Sequence, residues 1–308
     1  MISAPYMQPM IDRFRPFFEE NGVELFLPPI NERLEELELL EIIQDIDGVI
    51  CGDDRFTRKV LEKAKKLKVI AKWGTGIDSI DREAAAELGI AVHNTPNAFT
   101  HPVADSVLGY ILSFARKIPW ITTEMRAGRW NKIPCVALNE RTLGVIGVGN
   151  IGKAVIKRAI AFGMRVLGHD IIDVNVDFIR ETGIKMVSKD DLLKASDFVS
   201  LNCDLNASSY HLIAEREFLL MKPNAYLINT SRGQVIDEKE LIKALQNKKI
   251  AGAAMDVFEF EPLPNDSPLK RMDNCLLAPH NANSSPEAWE HVHKNTIKNL
   301  MKELEERN

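Results

Sequence analysis

The sequence lacks the features that mark secreted, membrane and metal-binding proteins. Its four cysteines stand far apart and show no CxxC spacing, at Cys51, Cys135, Cys203 and Cys275. This pattern predicts neither a disulfide framework nor a metal site. No apolar run approaches the ~18 residues that a membrane span needs, and the first residues lack the charged and apolar segments of a secretion signal. We therefore expect a chain of the reducing cytoplasm that binds no metal and no membrane.

Strong charge and sequence repetition are also missing. The net charge is −5 at pH 7, and no block of like charges forms a tail, so the composition argues against a nucleic-acid partner. No internal repeat or low-complexity tract interrupts the chain. With 308 residues, of which 45% are hydrophobic and 27% charged, the chain is long enough for about two globular domains.

The clearest positive pattern lies between Arg141 and Asp170. Leu143–Ile146 is a short apolar run typical of a buried parallel strand, and the turn GVGNIG follows it directly. A helical apolar pattern begins at Ile151, and a second short strand precedes Asp170. This order of strand, glycine turn, helix, strand and acid is the fingerprint of a dinucleotide-binding unit.

Each residue type in this fingerprint has a physical reason. Gly147 permits the tight turn, Gly149 lets the backbone approach a pyrophosphate, and Gly152 lets helix and strand pack closely. The helix N-terminus offers free N–H groups and a positive dipole end to the phosphates. Asp170 would accept hydrogen bonds from a ribose 2′-hydroxyl and repel a 2′-phosphate, so the pattern favours NAD over NADP. The alternative for a glycine turn alone is a structural loop.

A regular alternation of short strands and helices surrounds the fingerprint and predicts an α/β fold with parallel sheets. The strands expected before it lie at residues 23–27, 48–51, 69–72 and 90–92. Those expected after the second strand of the fingerprint lie at residues 197–201, 225–228, 250–255 and 276–278. The last segment, residues 286–306, reads as one amphipathic helix.

Polar residues follow three of the later strands, at the sheet edge where ligands bind in such folds. Arg232, in NTSRG, could clamp a carboxylate with two hydrogen bonds, and a surface arginine is the even alternative. Glu261 lies in DVFEFEP among three acids, for which a solvated loop is the alternative. His280 follows a strand end and could exchange a proton near neutral pH, whereas a structural histidine is the alternative.

The order of the fingerprint, NTSRG, DVFEFEP and APHNANSS resembles the D-isomer-specific 2-hydroxyacid dehydrogenase family. GTGID at 74–78 and NTPN at 94–97 also resemble it, nearest its D-3-phosphoglycerate dehydrogenase branch. The resemblance runs from about Gly48 to the last helix, and we expect a short form without the regulatory C-terminal domain of that branch. It implies an NAD-dependent enzyme that moves a hydride between nicotinamide and a D-2-hydroxyacid or its 2-oxo form. The substrate stays open among 3-phosphoglycerate, glyoxylate and hydroxypyruvate, and an NAD(H)-sensing corepressor-like protein is the alternative function.

The resemblance also implies roles for individual residues. Arg232 would bind the substrate carboxylate and polarise the reacting carbonyl. His280 would donate or remove the proton, and Glu261 would pair with it and keep it protonated. Residues implied to contact NAD are Thr75, Gly147, Gly149, Asn150, Ile151, Gly152, Asp170, Cys203, Thr230, Ser231 and Asp256. Residues implied to contact the substrate, besides Arg232, are Lys72, Gly74 and Gly76.

The family fold implies two parallel-sheet domains, Rossmann-like or flavodoxin-like, with a cleft between them. The substrate-binding (catalytic) domain would be discontinuous, residues 1–98 plus 283–308, and the NAD-binding domain would be residues 99–282. Family members dimerise through the NAD domain, so a homodimer is expected.

Some positions depart from the family pattern. Asp204 and Asn206 replace the proline and threonine of the usual HCPLT, and Ala282 replaces a glycine after His280. In the phosphoglycerate branch an arginine meets the substrate phosphate from the end of the second strand, where this chain has CGD at residues 51–53. Lys72 is the remaining nearby positive charge.

Overall fold

The computed structural model describes residues 1–306, which divide into two compact units. The first unit comprises Met1–Phe99 and the chain from Ser285 onward, and the second comprises Thr100–Ser284. One apolar core lies in the first unit and two lie in the second.

The strands are β1 Gly48–Cys51, β2 Val69–Lys72, β3 Ala91–His93, β4 Thr142–Ile146, β5 Arg165–His169, β6 Lys185–Met186, β7 Phe198–Leu201, β8 Tyr226–Asn229, β9 Gly252–Met255 and β10 Cys275–Leu277. The helices are α1 Arg15–Glu20, α2 Glu36–Ile42, α3 Arg58–Lys63, α4 Arg82–Glu87, α5 Thr100–Arg116, α6 Ile118–Arg126, α7 Asn150–Ala161, α8 Val176–Thr182, α9 Lys189–Ala195, α10 Glu215–Leu220, α11 Glu238–Gln246 and α12 Pro286–Glu306.

The first unit is built on a parallel sheet in the order β1-β2-β3. Ile2 adds a parallel bridge to Ile50 in β1. Helix α12 returns to this unit and packs on β1 and β2. Its apolar residues recur at helical spacing, and Val292, Thr296 and Leu300 are buried, which is the face that the sequence predicts.

The predicted strand at residues 23–27 is wrong. Ile2 N donates to Phe26 O at 2.9 Å, but no strand is present there among the described residues. Pro28 and Pro29 follow directly, and prolines lack the N–H that would extend a ladder. An alternating side-chain pattern alone therefore does not produce a paired strand.

The second unit contains one parallel sheet in the order β10-β9-β8-β7-β4-β5-β6. Its order reverses at β4, which has β5 on one side and β7 on the other. Such a reversal is the topological switch point at which doubly wound sheets bind ligands. The predicted α/β class with parallel sheets is confirmed by this topology.

Two classes of feature are not found among residues 1–306. No helix there combines the length and apolar character needed to cross a membrane. No three His, Cys, Asp or Glu side chains of that range are grouped so that they could hold a metal ion.

Candidate active site

The turn after β4 leaves no room for a side chain at two of its glycines. Gly147 has a φ of +86°, and a Cβ there would lie 2.5 Å from the amide nitrogen of Cys203. A Cβ on Gly152 would lie 2.0 Å from Gly147 O. Because both positions are glycine, the backbone can turn sharply at Gly147 and α7 can pack closely on β4, as the sequence predicts.

Space is open where the fingerprint predicts a phosphate. A Cβ on Gly149 would meet no atom within 4 Å. Gly149 is the N-cap residue that precedes α7, and no side chain caps the helix there. Asn150 and Ile151 form the first turn of α7, whose N–H groups lack helical partners. Thr230 Oγ1, just after β8, is buried and has no hydrogen-bond partner in the described structure. This arrangement fits the phosphates and polar groups of a dinucleotide.

Asp170 stands at the end of β5, next to the glycine turn. Its Oδ2 accepts a hydrogen bond from Val148 N at 2.6 Å, and its Oδ1 accepts one from Ile172 N at 3.0 Å. Each carboxylate oxygen keeps a second lone pair. The carboxylate is therefore held in place and can still accept a bond from a ribose hydroxyl.

The loop after β7 departs from the family sequence and is closed by its own hydrogen bonds. Ser209 Oγ donates to Asp204 O at 2.6 Å, and Asn206 N donates to Ser209 Oγ at 2.8 Å. Asn206 Oδ1 accepts from Ser208 N at 2.8 Å, which is an Asx turn. Burial raises the pKa of Cys203 to about 11, so its thiol stays un-ionised. The side chain of Asn206 thus helps to order the loop beside the glycine turn, whereas Asp204 takes part in these bonds through its backbone carbonyl.

Arg232 lies in a loop whose shape depends on Asn229, the last residue of β8. Asn229 is fully buried; its Nδ2 donates to Arg232 O at 2.9 Å, and its Oδ1 accepts from Ser231 N at 3.0 Å. The guanidinium of Arg232 donates to Ser231 O at 2.9 Å. Asn229 is absent from the sequence-based predictions, although an amide at a strand end that can bind its own following turn was the available signal.

His280 and Glu261 are brought together by the structure. His280 Nδ1 lies 3.0 Å from Glu261 Oε2, and Glu261 Oε1 accepts from Phe258 N at 2.9 Å. The two side chains keep 24% and 18% of their surface exposed. Because β8, β9 and β10 are parallel neighbours, the loops of Arg232, Glu261 and His280 leave the same sheet edge.

Asp256 shapes the loop that carries His280. It is fully buried, and its two carboxylate oxygens accept from Asn281 N and Ala282 N, each at 2.9 Å. His280 N also donates to Asp256 O at 2.7 Å. Burial, and then the charge of Asp256, raises the pKa of Tyr110, whose hydroxyl lies 3.4 Å from Asp256 Oδ1. The predicted contact of Asp256 with NAD stays a prediction, and the buried Ala282 fits as part of this loop.

The predicted substrate residues of the first unit lie at and just after the end of β2. Lys72 is buried, and its Nζ lies 2.7 Å from Asp53 Oδ1. Thr95 N donates to Gly74 O at 2.8 Å, and Thr75 Oγ1 donates to Thr95 O at 3.0 Å. The turn that contains Gly74, Thr75 and Gly76 is thus held by the loop after β3. The charge of Lys72 is balanced by a carboxylate.

An aromatic cluster beside this turn is absent from the sequence-based predictions. Trp73 Nε1 donates to His293 Nδ1 at 2.9 Å, and the Tyr6 ring lies 5.6 Å from that of Trp73 and 5.1 Å from that of Trp289. Burial lowers the pKa of His293. The helical pattern of α12 identifies an apolar face, but it cannot reveal a bond between residues 220 positions apart.

Comparison with known proteins identifies the second unit. The family described as "D-isomer specific 2-hydroxyacid dehydrogenase, NAD binding domain" matches residues 108–282, more than half of the chain. This range includes the glycine turn and the loops of Arg232, Glu261 and His280.

Individual proteins match over most of the chain. The D-3-phosphoglycerate dehydrogenase of Methanocaldococcus jannaschii is 43% identical over 83% of this chain. That match covers 49% of the relative, so the chain spans about half of its length. The glyoxylate reductase of Korarchaeum cryptofilum is 40% identical over 85% of this chain and 81% of its own.

A solved structure extends the likeness to the fold. The crystal structure of D-lactate dehydrogenase from Aquifex aeolicus, complexed with NAD and lactic acid, superposes with a TM-score of 0.86. It is 29% identical and covers 99% of this chain and 94% of its own. The chain therefore belongs to the D-isomer-specific 2-hydroxyacid dehydrogenase family, as its motifs predict, and carries the NAD-binding domain of that family.

Proposed function

We propose that this family member uses NADH to reduce a small, unphosphorylated 2-oxo acid, such as glyoxylate or hydroxypyruvate, to the D-2-hydroxyacid. The observation that carries the proposal is the 3.0 Å contact between His280 Nδ1 and Glu261 Oε2, at the sheet edge that also bears Arg232. An acid–base pair beside a guanidinium suits a substrate with a carboxylate next to a carbonyl.

Arg232 holds the substrate carboxylate and polarises the neighbouring carbonyl. A planar guanidinium can give a carboxylate two parallel hydrogen bonds, and Asn229 fixes the backbone from which it extends. The N–H groups of residues 74–76 supply further contacts to the carboxylate.

His280 gives the proton that the reaction consumes. Its Nδ1 faces Glu261, so Nε2 is the atom that can hand a proton to the carbonyl oxygen. The carboxylate of Glu261 favours the protonated ring before transfer. In the oxidative direction the neutral Nε2 removes the hydroxyl proton.

NADH, when bound, supplies the hydride to C2 of the substrate. We propose that the N–H groups of the turn from Gly147 to Gly152 hold its pyrophosphate and that Asp170 accepts from the adenine ribose. Thr230, Ser231, Thr75 and Cys203 complete the cofactor contacts. The open position at Gly149 and the unpartnered Thr230 Oγ1 support this assignment.

Charge in the first unit argues against a phosphorylated substrate. Lys72, the predicted phosphate partner, is buried in an ion pair with Asp53. A phosphate near this edge would meet at least one compensating carboxylate, which would repel it.

We also propose that the protein is cytoplasmic and that it forms a homodimer through the second unit. Helix α6 buries none of its nine residues in the described protomer, and Trp130, just after it, is 85% exposed. A partner's surface would cover such apolar groups.

The four cysteines are free, and burial raises the pKa of Cys275 to about 12, which suits a compartment without disulfides.

The test measures NADH oxidation with glyoxylate, hydroxypyruvate and 3-phosphohydroxypyruvate. We expect turnover of the first two and little of the third. Arg232→Ala and His280→Ala should each lower kcat/KM by about 10²–10⁴-fold while the Kd for NADH stays within about twofold. Wild-type rates in both variants would contradict the assignment. Tight NADH binding with no turnover of any 2-oxo acid would favour the corepressor-like alternative.

A further inference from the structure

The loop that follows β8 lies directly against the loop that follows β9. A Cβ added to Gly233 would lie 2.3 Å from the amide nitrogen of Glu259, so only glycine allows this approach. Gln234 Nε2 also donates to Glu259 O at 2.9 Å. Since Arg232 and Glu261 stand on these two loops, their spacing depends on this contact.

His211 joins the two loops from a third segment of the chain. Its ring Nε2 lies 2.8 Å from Glu259 Oε1, and its Nδ1 lies 3.7 Å from Asp237 Oδ2. Its backbone N–H donates to Gln234 O at 2.8 Å. One residue therefore holds the first loop through its backbone and the second through its ring.

Glu259 is also bound to the first turn of α11. Glu238 N donates to Glu259 Oε1 at 3.3 Å, and Glu259 N donates to Glu238 Oε2 at 3.1 Å. Burial, and then the charges of Glu259 and Glu261, raise the pKa of Glu238. Three carboxylates thus repel one another in this corner, and the ring of His211 supplies a donor that offsets the repulsion.

We propose that His211 is a positioning residue for the reaction. It holds the loop of Glu261 at a fixed distance from the loop of Arg232. The proposal rests on the function proposed above for those two residues. His211 acts through Glu259 and Gln234. Because a shift of about 1 Å at a reacting group can lower a rate about a hundredfold, loosening this contact affects turnover more than folding.

Two substitutions distinguish positioning from a purely structural role. His211→Phe keeps a ring and removes the donor to Glu259, whereas His211→Gln keeps a donor. For the 2-oxo acid that the wild type reduces fastest, we expect His211→Phe to lower kcat and raise KM, with a combined loss of about tenfold or more in kcat/KM. His211→Gln should retain roughly half of the wild-type value or more, and the Kd for NADH should stay within about twofold in both.

Hydrogen exchange gives a readout that needs no turnover. The amide of Glu259, which donates to Glu238, should exchange about tenfold faster in His211→Phe than in the wild type. Lys189→Met is the matched control, because Lys189 binds Glu217 at 2.9 Å and Leu212 O at 3.2 Å. It should lower the free energy of unfolding without changing kcat/KM or the exchange of Glu259.

Either of two results would overturn the role of His211. One is an unchanged exchange rate at Glu259 in His211→Phe. The other is faster exchange with unchanged kinetic constants. If the wild type reduces no 2-oxo acid, the proposed function fails, and the exchange rate alone decides whether His211 holds the two loops together.

Discussion

At the scale of single residues, the ion pair of Lys72 and Asp53 sets the charge at the end of β2. An ammonium with 5% of its side-chain surface exposed would be costly to bury without a partner. Asp53 lies 2.7 Å away and cancels its charge. The positive residue at this strand end is therefore a poor phosphate ligand while Asp53 is present.

Asp53→Asn should shift the enzyme towards phosphorylated substrates. Loss of this carboxylate removes the hydrogen-bonded partner of Lys72 and one negative charge from the strand end, so we expect KM for 3-phosphohydroxypyruvate to fall about tenfold, equivalent to about 1.4 kcal/mol. KM for glyoxylate should change less than about twofold. Steady-state kinetics on both substrates check this, with Asp45→Asn as a control, because Asp45 pairs with Lys66 elsewhere in the same unit. Equal changes in KM in the two variants would contradict the assignment.

Arg232, Glu261 and His280 could be selected from the sequence because each follows a strand and sits in a family motif. The contacts that support them could not be derived. Asp256 binds two amides of another loop, and such a contact depends on which strands are neighbours. Strand order is a property of the folded sheet, whereas periodicity reports only one strand at a time.

At the scale of elements, α12 joins distant parts of the first unit. Its bounds, Pro286–Glu306, agree with the predicted ones because a long helix carries a sustained period and a proline at its start. The failed strand at residues 23–27 has only five residues. Short apolar alternation is the weaker signal, since pairing decides whether a strand forms.

Helix α12 should make stability depend on pH through His293. Burial lowers its pKa in the folded state, so the unfolded chain takes up a proton first as pH falls. The stability that this neutral ring provides is therefore present above about pH 6.5 and is lost as pH decreases.

His293→Phe tests this effect. At pH 8 it should cost about 1–3 kcal/mol, because the N–H of Trp73 loses its acceptor, and the difference from the wild type should shrink by pH 5. Urea unfolding at both pH values measures it. The exposed His291 of the same helix is the control, and His291→Phe should leave the wild-type slope with pH unchanged. A parallel pH dependence in wild type and His293→Phe would refute the explanation.

At the scale of the whole molecule, the proposed dimer can be tested at Trp130. Exposed tryptophans are frequent anchors of interfaces, so Trp130→Asp should reduce the mass in solution from twice 34.7 kDa to that of one chain. Sedimentation equilibrium measures this. Leu219→Asp alters an exposed apolar residue of α10 and should leave the dimer intact. A dimer that persists in Trp130→Asp would place the interface elsewhere.

The family, the α/β class and the NAD-binding unit could be read from the sequence because the glycine turn lies within one continuous segment. The reversal of strand order at β4 could be expected once that segment was recognised. The contacts of α12 with β1 and β2 could not be derived from local patterns, since they join the two ends of the described chain. Only the resemblance predicts that return.

The return of α12 to the first unit also affects the order in which the two units can be completed during synthesis on the ribosome. The first unit cannot be completed until the residues from Ser285 onward have been made, and Thr100–Ser284 must be synthesised before them. At about 5–20 residues per second, that interval lasts roughly 10–40 s. During this time β1 and β2 lack the helix that covers them, so the nascent chain offers chaperones an apolar surface until α12 has been made.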